Sequence, residues 1–180
     1  GTGEANASVL RVEPDRKVSN DCQPRGGDST TLAEKPTWIR RTADQGSGAE
    51  ALHAAKSGIN AAVAAGPLYG RLFRATELSL LSYSATAAEF GPTLRAFLDG
   101  EIGILKRKDD VDHPTAVFNV LFGAYLAARS GDVELAGTAI TAVRSEVHDS
   151  GYPNLTNMLA IAQTERARAT DRPQDAIAAF

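Results

Sequence analysis

The spacing of apolar residues after about residue 48 predicts helices. In the stretch "AEALHAAKSGINAAVAAG", apolar side chains recur three and four residues apart, which is the period of one helix face. Gly66-Pro67 is expected to end this helix. Similar stretches follow, separated by "GP" at residues 91–92 and by "DHP", "SGD", "SGYP" and "TDRP". The pattern predicts seven to eight helices joined by short loops, with no alternating strand pattern after Pro14. Short connections of this kind favour antiparallel helical hairpins, so the predicted fold class is all-α.

Residues 1–48 have a different pattern. Pro and Gly interrupt "EPDRK", "CQPRGGDSTT", "EKPTW" and "DQGSG" too often for long helices. The stretch "SVLRVEP", residues 8–14, predicts one short strand, and Trp38-Ile39 is expected to pack onto the helices that follow. We therefore expect an extended or irregular segment over 1–48 and a helical domain over 49–180.

The most regular part of the chain is "LAARSGDVELAGTAI", residues 126–140, which predicts a helix, a tight turn and a second helix. The turn residue needs a left-handed backbone, which Gly adopts at little cost and Asp tolerates. The small residue in the following helix permits a close helix crossing. The same arrangement recurs at a spacing of 40 residues. The aligned positions are Gly91, Gly131 and Asp171 at the turn, and Ala96, Ala136 and Ala176 in the following helix.

The best copy places small or apolar residues at set points of both helices. These residues are Val120, Ala124, Ala127, Gly131, Ala136, Ile140 and Val143. In this spacing the segment resembles the tetratricopeptide repeat, over about 27 residues. The chain departs from that family in its 40-residue spacing, in Gly100 and Gly103 where bulk is expected, and in Thr164 where the best copy has Ala. The resemblance implies a short α-solenoid with repeat units at about 77–110, 117–150 and 157–180. A plain helical bundle is the alternative.

Charge and composition exclude some functions. A net charge of -3 and scattered basic residues argue against a nucleic-acid surface, which needs a concentrated basic face. No stretch approaches the roughly 18 apolar residues of a membrane span, so no membrane insertion is predicted. Cys22 is the only cysteine, which excludes an intrachain disulfide and fits a cytoplasmic location, with the periplasm as the alternative for a membrane-anchored parent. Because the chain begins at Gly1 and ends within a predicted helix, we expect it to be part of a longer protein. The excess of Arg over Lys, together with the Ala content, favours a bacterial source.

Residues that could carry chemistry are sparse. No glycine-rich loop is followed by the Lys-Ser/Thr pair of a nucleotide site. The histidines are His53, His113 and His148, and none forms the i, i+4 pair of a helical zinc site. Cys22 has no histidine near it in sequence. No catalytic residue, metal or cofactor is therefore predicted.

The resemblance implies a non-catalytic module that holds a protein or peptide segment in a concave groove lined by the first helix of each hairpin. The candidate groove residues are Asn119, Phe122, Arg129, Asn157, Gln163 and Arg166. Tyr83 and Tyr125 are two aromatic residues of interest beside them. We expect the module to belong to a signalling or regulatory protein.

Two other functions stay open at this point. One is a helical-bundle enzyme or small-molecule binder, which would need polar residues that converge on one pocket. Its candidates are Glu77, Glu89, Asp99, Glu101, His113 and Glu165. The other is an oligomerisation domain, in which exposed Leu- and Ala-rich faces join copies of the chain.

Overall fold

The computed structural model describes residues 34–83 and 87–172, together with residues 174 and 177. Within these residues the chain forms helices and no strand, so the predicted all-α class is confirmed. The helices are α1 (Lys35–Asp44), α2 (Gly48–Ala65), α3 (Pro67–Leu81), α4 (Ala87–Leu105), α5 (His113–Arg129), α6 (Val133–Ser150) and α7 (Pro153–Ala169). The strand predicted at 8–14, Cys22 and Ala176 lie outside the described residues.

Helix α1 lies within the segment for which the sequence predicts irregular structure. Pro36 stands in the first turn of this helix, where a missing backbone N–H costs nothing. Ile39 is buried against α2 and α3, in agreement with the expected packing, whereas Trp38 remains partly exposed. The packing of Ile39 against other helices therefore stabilises α1, although the frequent Pro and Gly residues of this segment disfavour a helix. The next helix begins at Gly48, one residue before the predicted domain boundary.

Helix α4 runs through Gly91 and Pro92, where the sequence predicts a helix end. Pro92 cannot donate the usual backbone hydrogen bond, and a proline inside a helix is costly. The burial of four large side chains along one face holds the helix together across it; these are Phe90, Leu94, Phe97 and Leu98. Gly91 is therefore not a turn residue, and Ala96 is exposed instead of lying at a helix crossing. The 40-residue alignment is wrong at its first copy.

The other two copies of the turn are structurally equivalent. Gly131 has φ +86° and Asp171 has φ +52°, so both adopt the predicted left-handed conformation. The amide N–H of the next residue donates across each turn, from Asp132 to the Ala127 carbonyl (2.9 Å) and from Arg172 to the Ala167 carbonyl (3.0 Å). This is the hydrogen bond of a Schellman helix end. The left-handed turns 40 residues apart, predicted at Gly131 and Asp171, are confirmed.

The buried side chains of the described residues form two clusters. A small cluster joins α1, α2 and the first half of α3 around Phe73. A larger cluster extends from the second half of α3 through α7. Ala136 is fully buried in it, which confirms the predicted close packing at that position. Each helix packs against the next one, and α1, α4 and α5 also pack against the next helix but one.

Asp132 caps the N-terminus of α6. Its Oδ1 accepts a hydrogen bond from the Leu135 amide at 3.0 Å, and its Oδ2 pairs with Arg95 at 2.9 Å. Asp132→Ala is expected to lower the free energy of unfolding by about 1 kcal/mol, as measured by urea denaturation, because the cap is lost. Asp132→Asn, which keeps a capping oxygen, and Arg95→Gln, which removes only an exposed ion pair, are the controls, with smaller losses expected. A loss for Asp132→Asn as large as that for Asp132→Ala would contradict the capping role.

Candidate functional site

Helices α3 and α5 run in the same direction. Near their N-terminal ends, Arg71 of α3 forms an ion pair with Asp112, the residue before α5, at 3.2 Å. At their C-terminal ends, the guanidinium carbon of Arg129 lies 5.2 Å from the ring centre of Tyr83, which follows α3. Because the N-terminal ends of α3 and α5 are linked to each other, and so are their C-terminal ends, the two helices are parallel. Helix α4 lies between them in the chain and runs in the opposite direction.

One face of α5 presents aromatic residues and an arginine to the surface. Phe118, Phe122, Tyr125 and Arg129 are spaced four, three and four residues apart, which places them on one side of the helix. Phe118 is 50% exposed, Phe122 and Tyr125 are half-buried, and Arg129 is exposed. Together with Tyr83, which is 76% exposed, these residues form what we call the aromatic–arginine surface.

The guanidinium of Arg129 is held by both tyrosines of this surface. Its Nη1 donates a hydrogen bond to the Tyr125 hydroxyl at 3.2 Å, while its carbon lies over the Tyr83 ring in a cation–π contact. The contacts with Tyr125 and Tyr83 raise the pKa of Arg129 above its ordinary value. A guanidinium has five N–H donors, so this positioned group keeps further donors for an anionic ligand.

The structure does not bring all six predicted groove residues onto one surface. Phe122 and Arg129 belong to the aromatic–arginine surface, whereas Asn119 on the same helix is buried, with only 4% of its surface exposed. Asn157 is exposed on α7, and Gln163 is half-buried there. Asn119 is therefore not available to a ligand at the surface.

Arg166 lies against α6 instead. Its Nε donates to the Val133 carbonyl at 3.0 Å, and a Cβ at Gly137 would come within 2.9 Å of its guanidinium. This part of α6 and α7 borders a shallow groove of about 480 Å³. The contacts give Arg166 a packing role between the two helices.

Two features of the aromatic–arginine surface do not follow from the sequence: the exposure of Phe118 and the contact between Tyr83 and Arg129. Helical spacing by itself favours a buried position for Phe118, since a phenylalanine in such a pattern usually lies in the core. Tyr83 was noted, but no pattern connects it with Arg129, which is 46 residues further along the chain. Only the packing of α4 against both α3 and α5 brings the two together.

The six polar residues expected for an enzyme pocket do not converge. Glu101 is bound by Arg71, Glu165 pairs with Arg168, and His113 lies 3.4 Å from Glu146. Asp99 is exposed on α4. Glu77 alone among the six lines the cleft between α2, α3 and α4, and Lys56, which also lines this cleft, forms an ion pair with Glu89. In the part of the chain that the structure describes, no three His, Cys, Asp or Glu residues are grouped so as to hold a metal ion.

The chain matches no family model, no curated protein and no solved structure. Among the described helices, none combines the length and the apolar character needed to cross a membrane. The function proposed below is therefore inferred from the chemistry of the surface residues.

Proposed function

We propose that this protein is a non-catalytic interaction module that holds a peptide segment of a partner protein on the aromatic–arginine surface. The observation that carries the proposal is the positioning of Arg129 by Tyr83 and Tyr125 on the face of α5 that also exposes the ring of Phe118. Aromatic residues and arginine are enriched in protein interfaces and supply most of their binding energy.

The chemistry of the surface specifies the kind of peptide it fits. The remaining N–H groups of Arg129 match a carboxylate, from an acidic side chain or a C-terminus, and can donate two parallel hydrogen bonds to it. On α5 the Phe122 ring lies seven residues before Arg129, about 10 Å along the helix axis, and the Phe118 ring one turn further away. The two rings therefore offer an apolar surface for a bulky side chain about seven residues from the acidic group along a helical peptide, or about three residues from it along an extended one. We therefore expect a peptide that combines an acidic group with a large apolar residue.

The helix arrangement supports the choice of face. Contacts between helices link only near neighbours in the sequence, and α3 and α5 run parallel at the surface. In helical-repeat proteins each hairpin contacts its neighbours alone, and equivalent helices of successive hairpins line the binding face. A tetratricopeptide-like solenoid within a larger signalling or regulatory protein, as the sequence suggests, is part of this proposal.

The proposal is tested by selecting peptides from a displayed random library against the whole chain and measuring their affinities by fluorescence anisotropy. Selected peptides are expected to contain both an acidic residue or a free C-terminal carboxylate and a large apolar residue some residues away from it. Arg129→Met is expected to weaken their binding by about tenfold, because the charge-assisted hydrogen bonds are lost. Higher salt is expected to weaken wild-type binding, and to weaken binding by the variant less.

Arg144→Met is the matched control, because Arg144 is an exposed arginine on α6, away from the aromatic–arginine surface. Phe118→Ala serves as a second variant of the surface. Equal affinity of the wild type, Arg129→Met and Phe118→Ala would contradict the proposal. If these substitutions change only the concentration dependence of the molecular mass in sedimentation, the surface joins copies of the chain and does not hold a peptide.

A further inference from the structure

A second candidate site is a cleft between α2, α3 and α4. It is a shallow, open cleft with a volume of about 510 Å³. Its lining residues are Lys56, Ile59, Asn60, Arg74, Glu77, Pro92, Thr93 and Ala96. The cleft shares no residue with the aromatic–arginine surface, so an inference about it does not depend on the proposed function.

Glu77 is a buried carboxylate at the wall of this cleft. It is 8% exposed, and no hydrogen bond or ion pair reaches it from the described residues. Burial raises the pKa of Glu77, an effect that the positive charges of Lys56 and Arg74 partly oppose. Its carboxylate oxygens are not among the fully buried, unpaired side-chain atoms of the described residues, so they reach the water of the cleft. The Glu77 carboxylate is therefore open to a cationic ligand and has no direct cationic partner among the described residues.

The other charged groups of the cleft do not supply this partner. The ammonium group of Lys56 forms its ion pair with Glu89 and acts on Glu77 only at longer range. Arg74 lies one turn before Glu77 on α3, is exposed, and makes no hydrogen bond or ion pair with the described residues. The cleft thus holds the Glu77 carboxylate and the Arg74 guanidinium, neither of which has a direct partner among the described residues. The Lys56–Glu89 ion pair lies beside them.

We infer that this cleft binds a small zwitterion of the amino-acid class, with its ammonium group at Glu77 and its carboxylate at Arg74. A zwitterion complements both groups, whereas a simple amine would leave the Arg74 guanidinium without a partner. The amide of Asn60 offers a further hydrogen bond at the cleft wall. A metal ion is disfavoured because no three His, Cys, Asp or Glu residues are grouped so as to hold one among the described residues.

The charge of Glu77 should lower the stability of the unliganded protein. The folded state raises the pKa of this group, so the folded protein holds the proton more tightly than the unfolded chain does, and stability falls as the pH rises through the pKa. Glu77→Gln is therefore expected to melt at a higher temperature than the wild type at neutral pH. Such a variant is folded, so a loss of binding in it cannot be attributed to unfolding.

The experiment measures thermal unfolding of the whole chain with each common L-amino acid at millimolar concentration, followed by calorimetric titration of those that raise the melting temperature. At least one amino acid is expected to raise it. The analogue that lacks the carboxylate and the analogue that lacks the amine are each expected to bind about tenfold more weakly or worse. The same loss is expected for Glu77→Gln with the intact amino acid.

Glu165→Gln, which alters a partly buried carboxylate on α7, is the matched control and is expected to bind as the wild type does. The inference is overturned if no amino acid stabilises the wild type, if Glu77→Gln binds with unchanged affinity, or if the amine-only analogue binds as tightly as the amino acid. Peptide binding at the aromatic–arginine surface, measured in the same Glu77→Gln variant, should not change, so failure of one proposal is distinguishable from failure of the other.

Discussion

Glu101→Gln is expected to lower the free energy of unfolding by about 3 kcal/mol, the lower end of the range for breaking a buried ion pair. Glu101 is 3% exposed and accepts two hydrogen bonds from Arg71, from Nε at 2.8 Å and from Nη2 at 2.6 Å. The substitution keeps the shape of the side chain but leaves the Arg71 guanidinium buried without its main counter-charge. Asp112, at 3.2 Å from Nη1, compensates in part through an ion pair that lacks hydrogen-bond geometry, which is why the lower end applies.

Urea denaturation of the variants measures this effect. Glu165→Gln is the control, because it breaks an exposed ion pair with Arg168 and should cost about 1 kcal/mol or less. The double variant Arg71→Met/Glu101→Leu removes both charges and should recover most of the loss, since no unpaired charge stays buried. Equal losses for Glu101→Gln and Glu165→Gln would refute the assignment of a buried pair that joins α3 to α4.

Phe73→Ala is expected to cost about 3–5 kcal/mol, because a fully buried ring at the centre of the small α1–α2–α3 cluster is replaced by a cavity. Phe118→Ala, which removes the same side chain from a half-exposed position on α5, should cost no more than about 1 kcal/mol. Denaturation curves of the two variants compare the same chemical change in two environments. Comparable losses would mean that the ring of Phe73 is not buried as described.

A double-mutant cycle tests the contact that positions this ring. A Cβ at Gly58 would overlap the Phe73 ring edge, so Gly58→Ala alone is expected to destabilise the protein by about 1–3 kcal/mol. In the Phe73→Ala background the obstruction is gone, and the same substitution should be neutral or stabilising, because Ala favours helix more than Gly does by roughly 1 kcal/mol. A destabilisation of the same size in both backgrounds would show that Gly58 and Phe73 do not touch.

Local patterns in the sequence account for most of the helices and for the turns between them. The turn at Gly131 and its counterpart at Asp171 follow from short-range chemistry, because a left-handed backbone must be adopted by residues that tolerate it. The cap at Asp132 is equally local. By contrast, the helix over 35–44 and the passage of α4 through Pro92 depend on burial against other helices, which outweighs unfavourable local preferences.

The candidate sites depend even more on tertiary structure. The predicted set of groove residues mixed one buried residue, Asn119, and one packing residue, Arg166, with Phe122 and Arg129 of the proposed surface. Periodicity alone cannot tell which residues of a helix face the solvent when several neighbours pack around it. Of the six polar residues considered for a pocket, Glu101 is engaged by an ion pair with Arg71 from a distant segment, and Glu165 by a local pair with Arg168 on the same helix.

The sequence by itself determined the all-α class, the positions of most helices and the two left-handed turns, because helix periodicity, capping and backbone preference act over a few residues. The tertiary structure decided that Tyr83 meets Arg129 and that Glu77 is buried beside a cleft without a direct partner. Those facts depend on how α2, α3, α4 and α5 lie against one another. Contacts across 46 residues of chain arise from the packing of whole helices, which no short stretch of sequence encodes.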